Sequence, residues 1–455
     1  MWEIGLLLLT GGLSVAIRET YRNQRLRLQI LQDTAQLCGL RVESTSRPFL
    51  DSLRIKARSG PTTVWIEDAA EGSRKLHPQI RVEVPGPPGF SGVRIRREAE
   101  RPPGAREVEI GDERFDSTFY VEGPTRLLSV LLDAETRRLL VRVNAEGRLA
   151  ITGGEIRIKT SDKDVETLLP LLLDLTRRFS EEVDIAQRLA ENAREDPTAG
   201  VRLRNLLFLI REFPGEPGTL ETLRAACSDA SAQVRLRAAM ALGAESRDVL
   251  VALAESQEDD ACGAQAIAHL GRDLPVERTR ALLVQALRRR HLQMAHACLE
   301  ALGRSSDAAD VEVLAKVLMI EKGELAAAAA LALGATGSPA AEPPLLLALQ
   351  HEKAEIRVTA ATALGRAGSA AAVLPLKKAA ERHPRDEELR RATRQAIAGI
   401  QSRLQGASPG QLSLAVAKVG QLSLAQAEAG QLSFATDSAG QLSLPPEADQ
   451  TKMGS

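Results

Sequence analysis

Aromatic side chains are scarce in this chain. The 2 Trp, 2 Tyr and 8 Phe among 455 residues are too few to build the stacking platforms that hold single-stranded nucleic acid, or aromatic cages for quaternary ammonium groups. Cysteine is scarcer still. Cys38, Cys227, Cys262 and Cys298 are too widely spaced for a disulfide framework or a paired-cysteine zinc site, and predict reduced thiols in a reducing compartment. Neither charge is in surplus. Lys+Arg 59 against Asp+Glu 60 leaves a net charge of -1, which argues against a dedicated nucleic-acid binder, whose affinity comes largely from neutralising phosphates. The loops Pro85-Gly86-Pro87-Pro88-Gly89 and Arg101-Pro102-Pro103-Gly104 carry proline where a phosphate loop needs glycines between a strand and a helix N-terminus. No nucleophile stands beside a base and no His cluster has metal spacing. The sequence therefore assigns no catalytic residue, no metal ligand and no cofactor, and the chain reads as a non-enzyme.

Long apolar runs are also few. Ile4 to Ile17 is uncharged, and Arg18, Arg22, Arg25 and Arg27 follow with Glu19 alone opposing them. At 1.5 Å per residue the run reaches about 21 Å, short of the roughly 30 Å hydrocarbon core. Residues 1–19 are expected to act as a membrane anchor through residues 4–17. The arginines then place the body in the cytoplasm, against the inner membrane. A core or partner-binding helix and a cleaved signal are the alternatives.

From residue 20 to 180 the pattern predicts an α+β domain. Residues 20–38 have helical spacing. Thr63-Val64-Trp65-Ile66, Ile80-Arg81-Val82-Glu83-Val84 and Val93-Arg94-Ile95-Arg96 alternate as half-buried antiparallel strands do. A strand is expected from Phe115 to Val121, a helix from Thr125 to Val143, a hairpin from Leu149 to Ile158 turning on Gly153-Gly154, and a helix from Val165 to Phe179. The helices are expected on one face of the sheet. Within this domain, Gly111-Asp112-Glu113-Arg114-Phe115-Asp116-Ser117-Thr118-Phe119-Tyr120-Val121-Glu122-Gly123 resembles a stretch of uncharacterised bacterial membrane-associated proteins with a hydrophobic N-terminus. Asp112, Glu113 and Asp116 could serve as a carboxylate cluster. The favoured expectation is that Phe115 and Phe119 enter the core while the acids occupy the preceding turn.

Self-similarity is the strongest signal. A Leu-Gly dipeptide recurs at Leu242-Gly243, Leu270-Gly271, Leu302-Gly303, Leu333-Gly334 and Leu364-Gly365. A period near 30 means stacked helix pairs, here an α-helical solenoid from 185 to 404. Nine residues before each glycine stand Val234, Cys262, Met294, Leu325 and Ile356. Five before stand Ala238, Ala266, Cys298, Ala329 and Ala360. With the leucine they make an i, i+4, i+8 stripe, the buried face of a helix. The glycine is expected to cap that helix in a left-handed conformation. Flanking units ending at Gly215 and Gly399 bring the count to about seven pairs.

These residues resemble HEAT repeats, in particular the short PBS-lyase HEAT-like variety, over about residues 200–404. Ser228-Asp229 through Val234-Arg235 to Leu242-Gly243 and Ile356-Arg357 to Leu364-Gly365 carry the likeness. The resemblance implies a protein-binding scaffold. Cys262-Gly263, Met294-Ala295 and Leu325-Ala326 replace the Val-Arg pair, and His351 stands in the place of Asp229, so an Asp-Arg ladder is expected to be discontinuous. Cys262, Cys298 and His269 fall on packing columns. Arg288, Arg289, Arg290 and His291 are the candidate partner-binding residues.

Residues 405–455 repeat Gly-Gln-Leu-Ser-Leu or Gly-Gln-Leu-Ser-Phe every ten residues from Gly410. Disorder is expected in this tail, with either docking of its strands on a partner's sheet edge or a plain linker role. The functional expectation is a non-enzymatic scaffold or adaptor for a protein partner. The alternative is a cofactor-attaching lyase or maturation factor acting on a partner protein.

Overall fold

The computed structural model describes residues 2–46, 52–71, 75–104, 106–256, 258–403 and four tail segments, 412–414, 422–424, 433–434 and 442–443. For 2–18, 20, 69–71, 75–77 and the tail segments it describes the backbone alone. An N-terminal antiparallel sheet with helices is followed by a long run of helices. By compactness the chain divides into two units, residues 1–245 and 246–455.

The first unit opens with α1 (Trp2–Leu37). It continues through β1 (Arg41–Thr45), β2 (Arg54–Ser59), β3 (Thr62–Glu71), β4 (Lys75–Glu83), β5 (Arg94–Arg97), α2 (Glu113–Asp116) and β6 (Phe119–Glu122). Then come α3 (Thr125–Leu131), α4 (Ala134–Glu146), β7 (Arg148–Thr152), β8 (Glu155–Lys159) and α5 (Val165–Ser180). The strands form one antiparallel sheet in the order β1-β2-β3-β4-β8-β7-β5-β6. Period-two alternation puts Ile55, Ala57, Val64, Ile66, Ile80, Val82, Ile95, Leu149, Ile151, Ile156 and Ile158 on one buried face. They share a core with Leu28, Leu31 and Ala35 of α1 and Leu168, Leu172 and Phe179 of α5. The other face is charged. Arg81 lies 3.8 Å over the Trp65 ring and 3.0 Å from Glu155, and Arg94 pairs with Glu122 at 2.8 Å.

The apolar run at 4–17 lies within α1, which passes without interruption through the arginines. Among the described residues no helix is long and apolar enough to cross a membrane. The expected spanning anchor is not found, and the short reach of the run is the physical reason. Two other expectations change. The helix expected over 125–143 is broken at Asp133, whose carboxylate accepts the Thr136 N–H at 2.8 Å and starts α4. The strand expected from Phe115 begins only at Phe119, because Asp112 caps α2 by accepting the Phe115 N–H. The Gly153-Gly154 turn forms as expected, with φ of 65° and 82°.

Four more helices complete this unit: α6 (Ile185–Glu195), α7 (Ala199–Glu212), α8 (Pro217–Ala226) and α9 (Ala232–Leu242). α6 pairs with α7 and α8 with α9, and the second pair stacks on the first.

The second unit is built from α10 (Arg247–Ser256), α11 (Asp260–Leu270), α12 (Val276–Arg289), α13 (Leu292–Leu302), α14 (Ala308–Ile320), α15 (Glu324–Thr336), α16 (Glu342–Ala348), α17 (Ala354–Ala367), α18 (Val373–Arg382) and α19 (Glu387–Arg403). They form five hairpins, and α11, α13, α15, α17 and α19 pack successively in a row. With the two pairs of the first unit, the described residues hold seven. The stripe is buried at every position in the apolar and small columns.

The glycines divide into two kinds. Gly243 and Gly271 close α9 and α11 with φ of 63° and 52°, the left-handed side that glycine enters cheaply. Gly303, Gly334 and Gly365 do not. Gly303 is right-handed, and Gly334 and Gly365 lie inside α15 and α17. A Cβ at Gly303 would meet the Ala332 Cα at 2.9 Å, one at Gly334 the Ala363 Cα at 2.6 Å, and one at Gly365 the Ala396 Cα at 2.9 Å. In these repeats the glycine is a point of helix contact. Ala332 and Ala363 occupy the column that His269 shares, and both are buried, while His269 is exposed and not the packing residue expected. Cys262 and Cys298 are buried as expected.

The Asp-Arg ladder is discontinuous. Arg202 grips Asp229 through two bonds of 2.7 and 2.8 Å, and also the carbonyls of Asp196 and Pro197. Arg357 reaches Asp386 at 3.1 Å and the carbonyls of His351 and Glu352. Between these, Asp260 accepts the N–H groups of Gln293 and Met294 at the start of α13, and Arg280 pairs with Asp307 at 2.9 Å. Burial pushes the Asp229 carboxyl up, but Arg202 and the Ser231 N–H outweigh it, so Asp229 titrates below the usual carboxylate range. Its stabilisation is present above the unfolded carboxylate pKa of about 4 and is lost as pH falls through the lowered value.

In the tail, residues 412–414 pair antiparallel with 422–424, Leu414 opposite Leu422, and Ser433 pairs with Ser443. The expected disorder of 405–455 otherwise lies outside the described residues.

Replacing Gly365 by Ala is expected to destabilise the second unit by about 1–3 kcal/mol through overpacking. Gly218, near the start of α8, has open space around a Cβ. Its replacement by Ala is expected to be neutral, or stabilising by up to about 1 kcal/mol. Urea unfolding of both variants measures the contrast.

Candidate functional site

The candidate residues gather at the turn between α12 and α13. Arg288 and Arg289 occupy the last turn of α12, where cations oppose the negative end of the helix dipole. Both are exposed, and neither has a hydrogen bond or ion pair within the described residues. Arg290 ends the helix in the left-handed conformation, φ 61°, the one non-glycine residue with positive φ among the described residues. Its N–H donates to the Leu287 carbonyl, and the His291 N–H to that of Ala286. An L side chain there is strained by about 1–2 kcal/mol. His291 takes the N-cap position of α13, and its Nδ1 is buried without a hydrogen-bond partner.

Beside this turn a cleft of about 550 Å³ separates it from the α14–α15 turn. It is lined by Arg290, Leu292, His296, Ile320, Lys322 and Glu324, among others. Arg290 reaches Glu321 at 3.4 Å. Leu292 and Ile320 are exposed, Ile320 at 73%, and the adjoining Met319 at 63%. The arrangement offers cationic and apolar contacts together. The sequence marked the arginines but missed Met319 and Ile320, whose only signal was an apolar pair at the very end of α14, before Glu321-Lys322-Gly323.

The carboxylates of the 111–123 stretch are structural. Asp116 accepts the N–H groups of Ile110 and Gly111 at 2.9 Å each. Burial holds its carboxyl above the usual range. Asp112 pairs at 2.9 Å with Arg137, itself 3% exposed, which also holds Asp196 through two bonds of 3.0 Å and the Leu132 carbonyl. Glu113 is exposed. Phe115 and Phe119 are buried with ring centroids 4.9 Å apart. Alongside, a Cβ at Gly111, where φ is 94°, would lie 2.7 Å from the Gly200 carbonyl carbon. Among the described residues no group of His, Cys, Asp and Glu could hold a metal ion. Burial pushes the Cys298 thiol up to about 12 and raises Cys38 and Cys227, so none is an activated thiolate.

Residues 320–398 match the family model of HEAT repeats. Within those residues the run of helices is thus HEAT-like by sequence, and the rest of the run is HEAT-like in architecture. No curated protein matches the chain. Two solved structures are similar in part. Human deoxyhypusine hydroxylase in complex with glycerol is 18% identical over 48% of this chain and 96% of its own, with a TM-score of 0.20. The mycobacterial trehalose monomycolate transport factor A, TtfA, is 12% identical over 35% of this chain and 98% of its own, with a TM-score of 0.24.

Replacing Asp196 by Asn is expected to cost about 3–5 kcal/mol, since it leaves the buried Arg137 charge under-compensated. Adding Arg137→Met to that variant is expected to recover part of the loss. Denaturant unfolding of the single and double variants checks both.

Proposed function

We propose that this protein is a non-enzymatic scaffold that binds another protein along its HEAT array. One observation carries the reading: large apolar side chains stand exposed on six of the ten helices of the second unit. They are Val284 on α12, Leu292 on α13, Met319 and Ile320 on α14, Leu331 on α15, Leu347 on α16 and Leu374 on α18. A packed array with that much apolar surface left uncovered offers an extended area for protein contact. Within HEAT arrays we assign it to the short PBS-lyase HEAT-like variety, on the Leu-Gly dipeptide and the small residue five positions before it.

The reading includes a tether through residues 4–17, with the body facing the cytoplasm. Such a run would hold a bilayer only with local thinning or with its flanks snorkelling. No observation favours the alternative of a cofactor-attaching lyase or maturation factor.

The test is affinity purification of the tagged chain from detergent-solubilised membranes and from the soluble fraction. A recurrent protein partner is expected. The variant with Met319, Ile320 and Leu347 all replaced by Asp should lose it at least about tenfold while keeping its melting temperature, since each side chain is already more than half exposed. Recovery of a small molecule or nucleic acid with no protein would overturn the scaffold reading, and fractionation without the membrane would overturn the tether.

A further inference from the structure

We propose that the cleft between the α12–α13 and α14–α15 turns is a docking groove for an acidic peptide segment of a partner protein, one carrying apolar side chains. The inference rests on the scaffold reading and names the chemistry of its partner. Charge complementarity selects the occupant. Arg290 and Lys322 line the cleft with Glu321 and Glu324, and Arg288 and Arg289 immediately precede Arg290 in the last turn of α12. Counting the two arginines beside it, four cations adjoin the two carboxylates of the lining, in a chain whose net charge is -1. The imbalance is also available to a ligand, because Arg288 and Arg289 are engaged by no other described residue.

The apolar half of the groove specifies more than charge. Leu292, Met319 and Ile320 stand at its edge with much of their surface in water. A bare anion gains nothing from them, whereas an acidic peptide that buries one or two leucine-sized side chains there gains from both halves. A volume of about 550 Å³ accommodates a few side chains, not a folded domain or a duplex.

Arg290 gives the groove its specific feature. A glycine would adopt φ 61° without strain, yet the position holds an arginine whose side chain is 71% exposed and reaches toward Glu321 across the cleft. Local strain held in this way, at a residue that could deliver charge to a ligand, is how functional positions depart from the cheapest backbone choice.

The experiment uses the whole chain and a fluorescein-labelled twelve-residue peptide of Glu and Ser with two leucines four positions apart, followed by anisotropy at low and moderate salt. Saturable binding that weakens with salt is expected, with none for the same peptide carrying Lys in place of Glu. Arg288→Gln with Arg289→Gln, and separately Ile320→Asp, should each weaken binding at least about fivefold. Arg290→Gly is the decisive variant. It should weaken the peptide while leaving the melting temperature unchanged or higher, because glycine relieves the turn. Equal binding of the Glu and Lys peptides, no binding, or affinity indifferent to Arg290→Gly and Ile320→Asp would overturn the groove. Tighter peptide binding after removal of residues 405–455 would identify the chain's own tail as the occupant and overturn the assignment to a partner. If a natural partner stays bound to the groove variants, the groove fails and the scaffold reading stands. If the array retains no protein at all, the scaffold reading itself fails.

Discussion

Between successive helices of the row α13, α15, α17 and α19 there is a point with no room for a methyl group. At Gly303, Gly334 and Gly365 one helix meets the backbone of the next so closely that any Cβ would fall within 2.9 Å of an alanine Cα. That approach sets the spacing of the row α13, α15, α17 and α19, and the small residues of the stripe follow from it. Ala329 and Ala360 are fully buried because a larger side chain would hold the helices apart. α15, with alanine at seven of its thirteen positions between Glu324 and Thr336, is the extreme case, buried nearly all round.

Ion pairs act on a different part of the problem. Arg202 and Arg357 each clamp two carbonyls of the turn before their own helix and a carboxylate 27 or 29 residues further on. They fix turns, while the glycine contacts fix helices. In the first unit Arg137 does a related task, joining the cap of α2, the body of α4 and the turn after α6, with Gly111 and Gly200 in backbone contact beside it. The 111–123 stretch was expected to put Phe115 and Phe119 in the core and its acids in a turn, with a carboxylate cluster as the lesser alternative. Asp112 caps α2 and pairs with a buried arginine, and Asp116 holds backbone N–H groups.

Repetition made the array legible. Because each repeat solves the same packing problem, columns of apolar and small residues could be located by counting from a glycine, and the structure buries them. The glycine itself was misjudged in three repeats, since a single sequence shows that Gly is required at a position without showing whether φ or close contact requires it. The strands were legible wherever one face is apolar, as at Ile80 and Val82. Where a side chain overrides local pattern the boundaries shifted, as at Asp133, whose capping bond breaks a helix that apolar spacing alone would continue. The arginines of the candidate groove stood out as a charge run. Met319 and Ile320 did not, because exposure of an apolar residue at a helix end depends on which neighbours the fold supplies.

The account makes the glycine contacts the source of coupling between repeats, and amide hydrogen exchange of the Gly334→Ala chain tests this most directly. The inserted methyl should speed exchange in α15 and in α17, the helix it strikes, while α10 and α11 keep the protection they have in the unaltered chain, as expected of nearest-neighbour stacking. Faster exchange confined to α15, or spread evenly over residues 246–403, would contradict it.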